Sequence, residues 1–202
     1  MSQDQHCNHV QPRRERRIVH SLSYLLLAFL LLVLPGVSAR QAEAAELELN
    51  WDYLTPHGSD RDLNTVSLHV LEKIAEKGNR SVYRGLTITR AYGSIFFEQQ
   101  KRDSPGTGIG PTFLIRNQKT LSDKWSAAFD MSGGFMIYDR SFPAGGRWYN
   151  FMWRVGPQFI YKINADTSVN LGYTLMHVSN GLQSRNPGYD AHGISFGVSG
   201  KF

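Results

Sequence analysis

Three side chains in this sequence have the types and spacing for covalent chemistry: His177, Ser179 and Asp190. The stretch between them reads His-Val-Ser-Asn-Gly-Leu-Gln-Ser-Arg-Asn-Pro-Gly-Tyr-Asp. His177 and Ser179 stand two residues apart at the end of an alternating segment; Asn180, a turn-rich loop and an acid follow. A hydroxyl, an imidazole and a carboxylate are the parts of a hydrolase triad. Residues i and i+2 of a strand share one face and lie ~6–7 Å apart, a gap an imidazole spans to reach a serine hydroxyl. The competing reading is three hydrated residues at the rim of a β protein, because short motifs arise by chance. The direction in which they point decides between the two, and that direction is set by the strands that carry them.

From residue 46 onward, clusters of Gly, Asn, Ser and Asp separate segments of period two. Leu47, Leu49, Trp51 and Tyr53 alternate with Glu48, Asn50 and Asp52; Val66, Leu68 and Val70 alternate with Ser67 and His69. Six more segments of this kind lie around residues 82–89, 109–116, 125–137, 149–162, 169–179 and 194–202. Residues 65–77 end in Glu-Lys-Ile-Ala-Glu-Lys, which also fits a short amphipathic helix. A strand is preferred there, because a closed single-chain barrel uses an even number of strands. The predicted fold class is therefore all-β, an eight-stranded antiparallel transmembrane barrel of the outer-membrane type.

A soluble sandwich would alternate as well. The faces opposite the apolar ones, however, hold Asp130, Arg154, Gln158, Lys162, Asn170 and Lys201. Those are poor material for a dry core and suit the polar interior of a membrane barrel. Asp130 and Arg154, on neighbouring strands, are expected to pair inside. Trp51, Tyr53, Trp148 and Tyr149 fall toward one rim and Trp125, Tyr161 and Phe202 toward the other, the aromatic-girdle pattern. With the C-terminus at the periplasmic rim, residues 55–64, 98–108, 139–147 and 180–190 become the outer loops. From Ser168 to His177 is nine residue steps; at ~3.3 Å each and a tilt of about 40°, the rise is roughly 23 Å, against an apolar band about 25 Å tall. His177 and Ser179 then sit at the outer-leaflet boundary. They share the parity of Val169, Leu171, Tyr173 and Leu175, and Asp190 shares that of Ile194 and Phe196, so all three should face lipid. Polar groups facing acyl chains are costly, and an enzyme whose substrate is itself a lipid has a use for them.

The 202-residue length suits one domain. Residues 1–44 read as a signal peptide: Arg13, Arg14, Arg16 and Arg17, an apolar run from Tyr24 to Leu34, then small-residue cleavage sites near residue 39 or 44. The apolar run is shorter than the ~20 residues of a spanning helix. The barrel domain is then 45–202. Cleavage removes Cys7, the only cysteine, leaving no thiol chemistry. The formal charge is +5, of which residues 1–39 contribute four Arg less Asp4 and Glu15, or +2, leaving about +3. That is too mild to argue for nucleic acid.

His-x-Ser-Asn, a Gly-containing loop, Asn-Pro-Gly, an acid and a closing strand ending in Phe202 resemble the lipid A 3-O-deacylase (acyloxyacyl hydrolase) family. Tyr149-Asn150-Phe151, Gly156-Pro157 and Leu171-Gly172-Tyr173 resemble it too. The resemblance covers roughly residues 145–202. It implies an outer-membrane enzyme, multi-pass through its strands, that cuts the 3-O-linked acyl ester of lipid A without metal or cofactor. By position, His177 would be the general base, Ser179 the nucleophile, Asp190 the acid orienting His177, and Asn180 an oxyanion donor. Two departures stand out: the family's usual acid is Glu, and its loop between Ser and acid is one residue longer. Arg90 and Arg185 are candidates for contact with a lipid A phosphate, and His192 is a competing titratable group. The partner implied is lipopolysaccharide of the outer leaflet; a homodimer stays open. The alternatives are a non-catalytic barrel of adhesin type and a lipase or acyltransferase acting on another outer-leaflet lipid.

Overall fold

The computed structural model describes residues 45–58, 61–181 and 186–201. The predicted signal peptide, Arg185 and the terminal Phe202 lie outside the described residues. The strands are, in chain order, β1 (Glu46–His57), β2 (Arg61–Lys77), β3 (Arg80–Phe97), β4 (Gln100–Asp103), β5 (Gly106–Thr120), β6 (Trp125–Phe142), β7 (Arg147–Lys162), β8 (Thr167–Ser179) and β9 (Tyr189–Lys201). Eight of them form an antiparallel ring, β1-β2-β3-β5-β6-β7-β8-β9, which β9 closes by pairing with β1. The expected eight-stranded barrel is the observed architecture. Residues 65–77 are strand, and a bulge between Lys73 and Ala75 breaks the alternation there, which is why the sequence of that segment imitates a helix.

The outer loops are shorter than expected because the strands run on. A transmembrane strand needs about 9–11 residues, whereas β2, β3 and β6 have 17, 18 and 18. Most of residues 55–64 and 139–147 is therefore strand. Within 98–108, the chain reverses through Glu98 and Gln99, both left-handed, and β4 folds back along the outer end of β3.

The burial pattern is inverted relative to a soluble protein. Leu49, Trp51, Leu68, Leu86, Phe129, Trp153, Phe159, Leu171 and Phe196 are exposed, while Glu48, Asp52, His69, Arg116, Asp130, Arg154 and Gln158 are buried. Only a barrel in lipid makes that arrangement favourable, since its exterior faces hydrocarbon and its backbone groups are all paired. Inside, Arg116 forks onto two carboxylates. It donates to both Glu48 oxygens at 2.7 and 3.0 Å and to both Asp130 oxygens at 2.8 Å. Arg154 lies 3.0 Å from Asp52 through Nε, an ion pair whose N–H is not aimed along the contact, and donates to Ser67 through Nη2 at 2.9 Å. The expected Asp130–Arg154 pair is therefore corrected. Strand register sets Asp130 opposite Arg116, while Arg154 stands opposite Ser132 and reaches across the lumen to β1.

The interior is not polar throughout. Leu54, Leu63, Ile95, Met136, Phe142, Met152, Met176, Val178 and Tyr189 form an apolar plug at the outer end. Met176 and Val178 alternate with His177 and Ser179 on β8, and Tyr189 and Ala191 flank Asp190 on β9. The plug thus lies directly behind the three candidate residues and fixes the backbone that presents them. At mid-barrel, a cavity of about 40 Å³ is lined by Asn50, Asp52, His69, Thr112 and Arg154, among others, a space for water and not for an acyl chain.

Candidate active site

The pleat of β8 and β9 determines what these strands show to the outside. Odd residues of β8 and even residues of β9 are outward, and the register places His177 directly opposite Asp190. Direct cross-strand neighbours have Cβ atoms about 4.5–5.5 Å apart, within reach for a short acid. His177 Nδ1 and Asp190 Oδ1 are 2.7 Å apart. A carboxylate accepts, so Nδ1 carries the proton and Nε2 presents its lone pair. The side chains are 33% and 57% exposed, on the face shared with Leu175, Ile194 and Phe196.

A second contact fixes the imidazole. On the other side of β8, Trp153 of β7 stands opposite His177, and the two rings stack with centroids 5.5 Å apart and planes 28° from parallel. One bond sets the tautomer and one ring face sets the plane. Trp153 lies in the alternating segment at residues 149–162; its place beside His177 comes from the β7–β8 register, which no local pattern reports.

Ser179 ends β8, opposite Phe151, and is half-buried on the same side as His177. Among the described residues no hydrogen bond joins its hydroxyl to His177; in ligand-free active sites such bonds are often long and tighten with substrate. The chain leaves the strand through Gly181, whose φ of 61° is left-handed and whose added Cβ would stand 3.0 Å from the Phe151 ring. Asn180, the expected oxyanion donor, is 3% exposed and so lies on the inner side, away from Ser179. Its backbone N–H donates to Asn186 Oδ1 at 3.1 Å. The Asn180 side chain is thus turned from the outward face that His177 and Ser179 share.

The chain entering β9 is drawn tight against β8 at Gly188. A Cβ on Gly188 would fall 2.5 Å from the Val178 carbonyl oxygen, so the backbone approach there requires glycine. Tyr189 is buried, bonded to Thr65 Oγ1 at 3.0 Å and edge-on to Phe142 at 5.8 Å. These contacts deliver Asp190 opposite His177 despite the short loop and the short acid.

The remaining expectations divide. His192 is one pleat below Asp190, bonded through Nδ1 to the Tyr173 hydroxyl and edge-on to His57 at 5.5 Å, so it is occupied away from Ser179. His57 itself stands opposite Asp190 on β1; sequence reasoning missed it, because only barrel closure pairs β1 with β9. Arg90 is outward and donates to Thr107 Oγ1 at 2.7 Å, but it lies on β3, three strands from β9 and four from β8 around the ring. The ring order thus separates outward-facing Arg90 from His177 and Asp190 around the circumference of the barrel. Among the described residues no group of His, Cys, Asp or Glu could hold a metal.

A family model described as Lipid A 3-O-deacylase (PagL) matches residues 47–199. Among solved structures, one titled "Crystal structure of the outer membrane enzyme PagL" is 13% identical, with 76% of this chain and 98% of that chain covered and a TM-score of 0.49. No curated protein matches.

Proposed function

Because the chain belongs to the lipid A 3-O-deacylase family, an enzyme family of carboxylic ester hydrolases, we propose that it works by a Ser179–His177–Asp190 mechanism on the outward face of an outer-membrane barrel that crosses with its eight strands. The observation that carries this reading is the 2.7 Å bond from His177 to Asp190, on the lipid-facing surface and two residues from Ser179. A lipid is the substrate that can reach such a face without leaving the membrane.

In the proposed reaction, His177 Nε2 takes the Ser179 proton as Oγ attacks the carbonyl carbon of the 3-O-linked ester. Asp190 holds the tautomer and stabilises the imidazolium. The tetrahedral oxyanion is met by backbone N–H groups after Ser179; that of Asn180 serves if Asn186 releases it. Collapse breaks the bond to the sugar oxygen, which leaves with the proton from His177. Water, deprotonated by His177, then attacks the acyl-Ser179 ester, releasing a hydroxy fatty acid and restoring the serine. Arg185, between Ser179 and Asp190 in the sequence, is the proposed contact for a lipid A phosphate.

The test is mass spectrometry of lipid A from cells producing the protein. Loss of one hydroxyacyl group is expected, with no loss for Ser179→Ala. Release of fatty acid from phospholipid offered as sole substrate, without change in lipid A, would place the site in lipase chemistry instead.

A further inference from the structure

Arg61 opens β2 at the outer end of the barrel, two strands from β9. Its Nε donates to the Gly188 carbonyl oxygen at 3.1 Å and its Nη1 to the Phe96 carbonyl oxygen at 2.8 Å. Gly188 is two residues before Asp190. We propose that Arg61 is a positioning residue for the reaction: its guanidinium ties the loop that delivers Asp190 to the outer ends of β2 and β3, and so sets how far the acid reaches toward His177. This rests on the reading of Asp190 as the orienting acid.

The loop has little freedom at Gly188. On one side it meets the Val178 carbonyl, at a distance that excludes a Cβ. On the other, Arg61 holds the Gly188 carbonyl. Pro187 lies against Gly146 and Tyr189 is anchored to Thr65, so the segment is pinned from β2, β8 and the β6–β7 turn. Arginine suits the post, because a planar fork can hold two carbonyls in fixed directions where an ammonium is a point charge. The reach of the acid explains why it is needed. Asp190 has one methylene fewer than Glu, and a 2.7 Å bond across the strand pair is lost when the loop relaxes outward. A loop that has moved away should then be bridged by a longer acid.

The experiment compares R61A, R61K, D190E, D190N and R61A/D190E as full-length barrels in detergent, with deacylation of lipid A read as kcat and KM. Folding is checked by circular dichroism and heat-modifiable gel mobility. R61A should lower kcat by about tenfold to a hundredfold with KM little changed, as expected for sub-ångström to ångström misplacement. R61K should fall between R61A and the parent. R61A/D190E should be more active than R61A, although D190E alone is less active than the parent; a merely structural Arg61 gives no rescue specific to glutamate. Parental kcat in R61A, or a double mutant whose loss is the product of the two single losses, overturns the proposal. Should R61A fail to fold, the same comparison is read on R61K and R61K/D190E. D190N at parental activity removes the acid assignment itself, whatever R61A does.

Discussion

Two polar clusters in this barrel are treated in opposite ways. Inside, Arg116 is 3% exposed and holds Glu48 and Asp130 by four hydrogen bonds. Outside, Asp190 accepts one bond from His177, and the Ser179 hydroxyl has none among the described residues. The inner cluster is closed: its charges are desolvated and hydrogen-bonded to one another, so removing the shared arginine strands both acids. The outer cluster is left with open valences, the lone pair of His177 Nε2 and the hydroxyl of Ser179. Pairing saturated by the protein holds a fold together, whereas unsaturated groups on a rigid support can act on a substrate. The apolar plug behind β8 and β9 supplies that support.

The largest effects should come from the outer cluster and appear in activity alone. Ser179→Ala and His177→Ala should each reduce lipid A deacylation on the order of 10⁴-fold or more, with the double mutant hardly worse than either, because residues that act as a unit are non-additive. The thermal midpoint of the barrel should stay at the parental value. Full activity in Ser179→Ala would end the nucleophile assignment.

Asp190→Asn should come next, with a loss on the order of 10³- to 10⁴-fold in kcat, since an amide holds the wrong tautomer of His177. Single-turnover kinetics on lipid A in micelles would measure it, and an unchanged rate would reduce Asp190 to a loop charge.

The inner cluster should show the reverse signature. Arg116→Met leaves Glu48 and Asp130 buried and unpaired, a loss of about 3–5 kcal/mol in stability. Denaturant titration from detergent should register that, while molecules still folded retain parental activity. A fall in activity per folded molecule as large as that of Asp190→Asn would break the division between the clusters.

Gly188→Ala tests the support between them. Its Cβ, 2.5 Å from the Val178 oxygen, pushes apart the strand pair next to His177 and Asp190. We expect about a tenfold loss in kcat and a small fall in thermal stability. The smallest effect should be Trp153→Leu, which removes the ring stacked on His177 but keeps the lipid-facing surface apolar; a few-fold loss in kcat is expected, on the order of the 0.5–1.5 kcal/mol of an aromatic pair.

Much of this architecture can be read from period-two alternation, because the pleat turns successive side chains to opposite faces wherever a strand forms. Leu49, Trp51 and Tyr53 outward, and Glu48, Asn50 and Asp52 inward, follow from counting alone. The same counting placed His177, Ser179 and Asp190 on one face, and His177 and Ser179 at the outer-leaflet boundary. It failed where partners are chosen across the sheet. Asp130 meets Arg116 and not Arg154, Trp153 is the stacking neighbour of His177, and His57 and Arg61 come to Asp190 and its loop from strands some 130 residues earlier in the chain.

The amino-acid sequence by itself determined the strands, their lipid-facing sides and the shared outward face of His177, Ser179 and Asp190, because each depends on residues within a few positions of one another. Only the tertiary structure decided the bond from His177 to Asp190, the inward turn of Asn180, the closure of β1 on β9, and the exile of Arg90 to the far wall. Register and ring order are settled by the joint packing of all eight strands, and shifting one strand by a single residue reverses every side chain on it. Parity is a local property and survives in the sequence; adjacency around a closed barrel is a global one and does not.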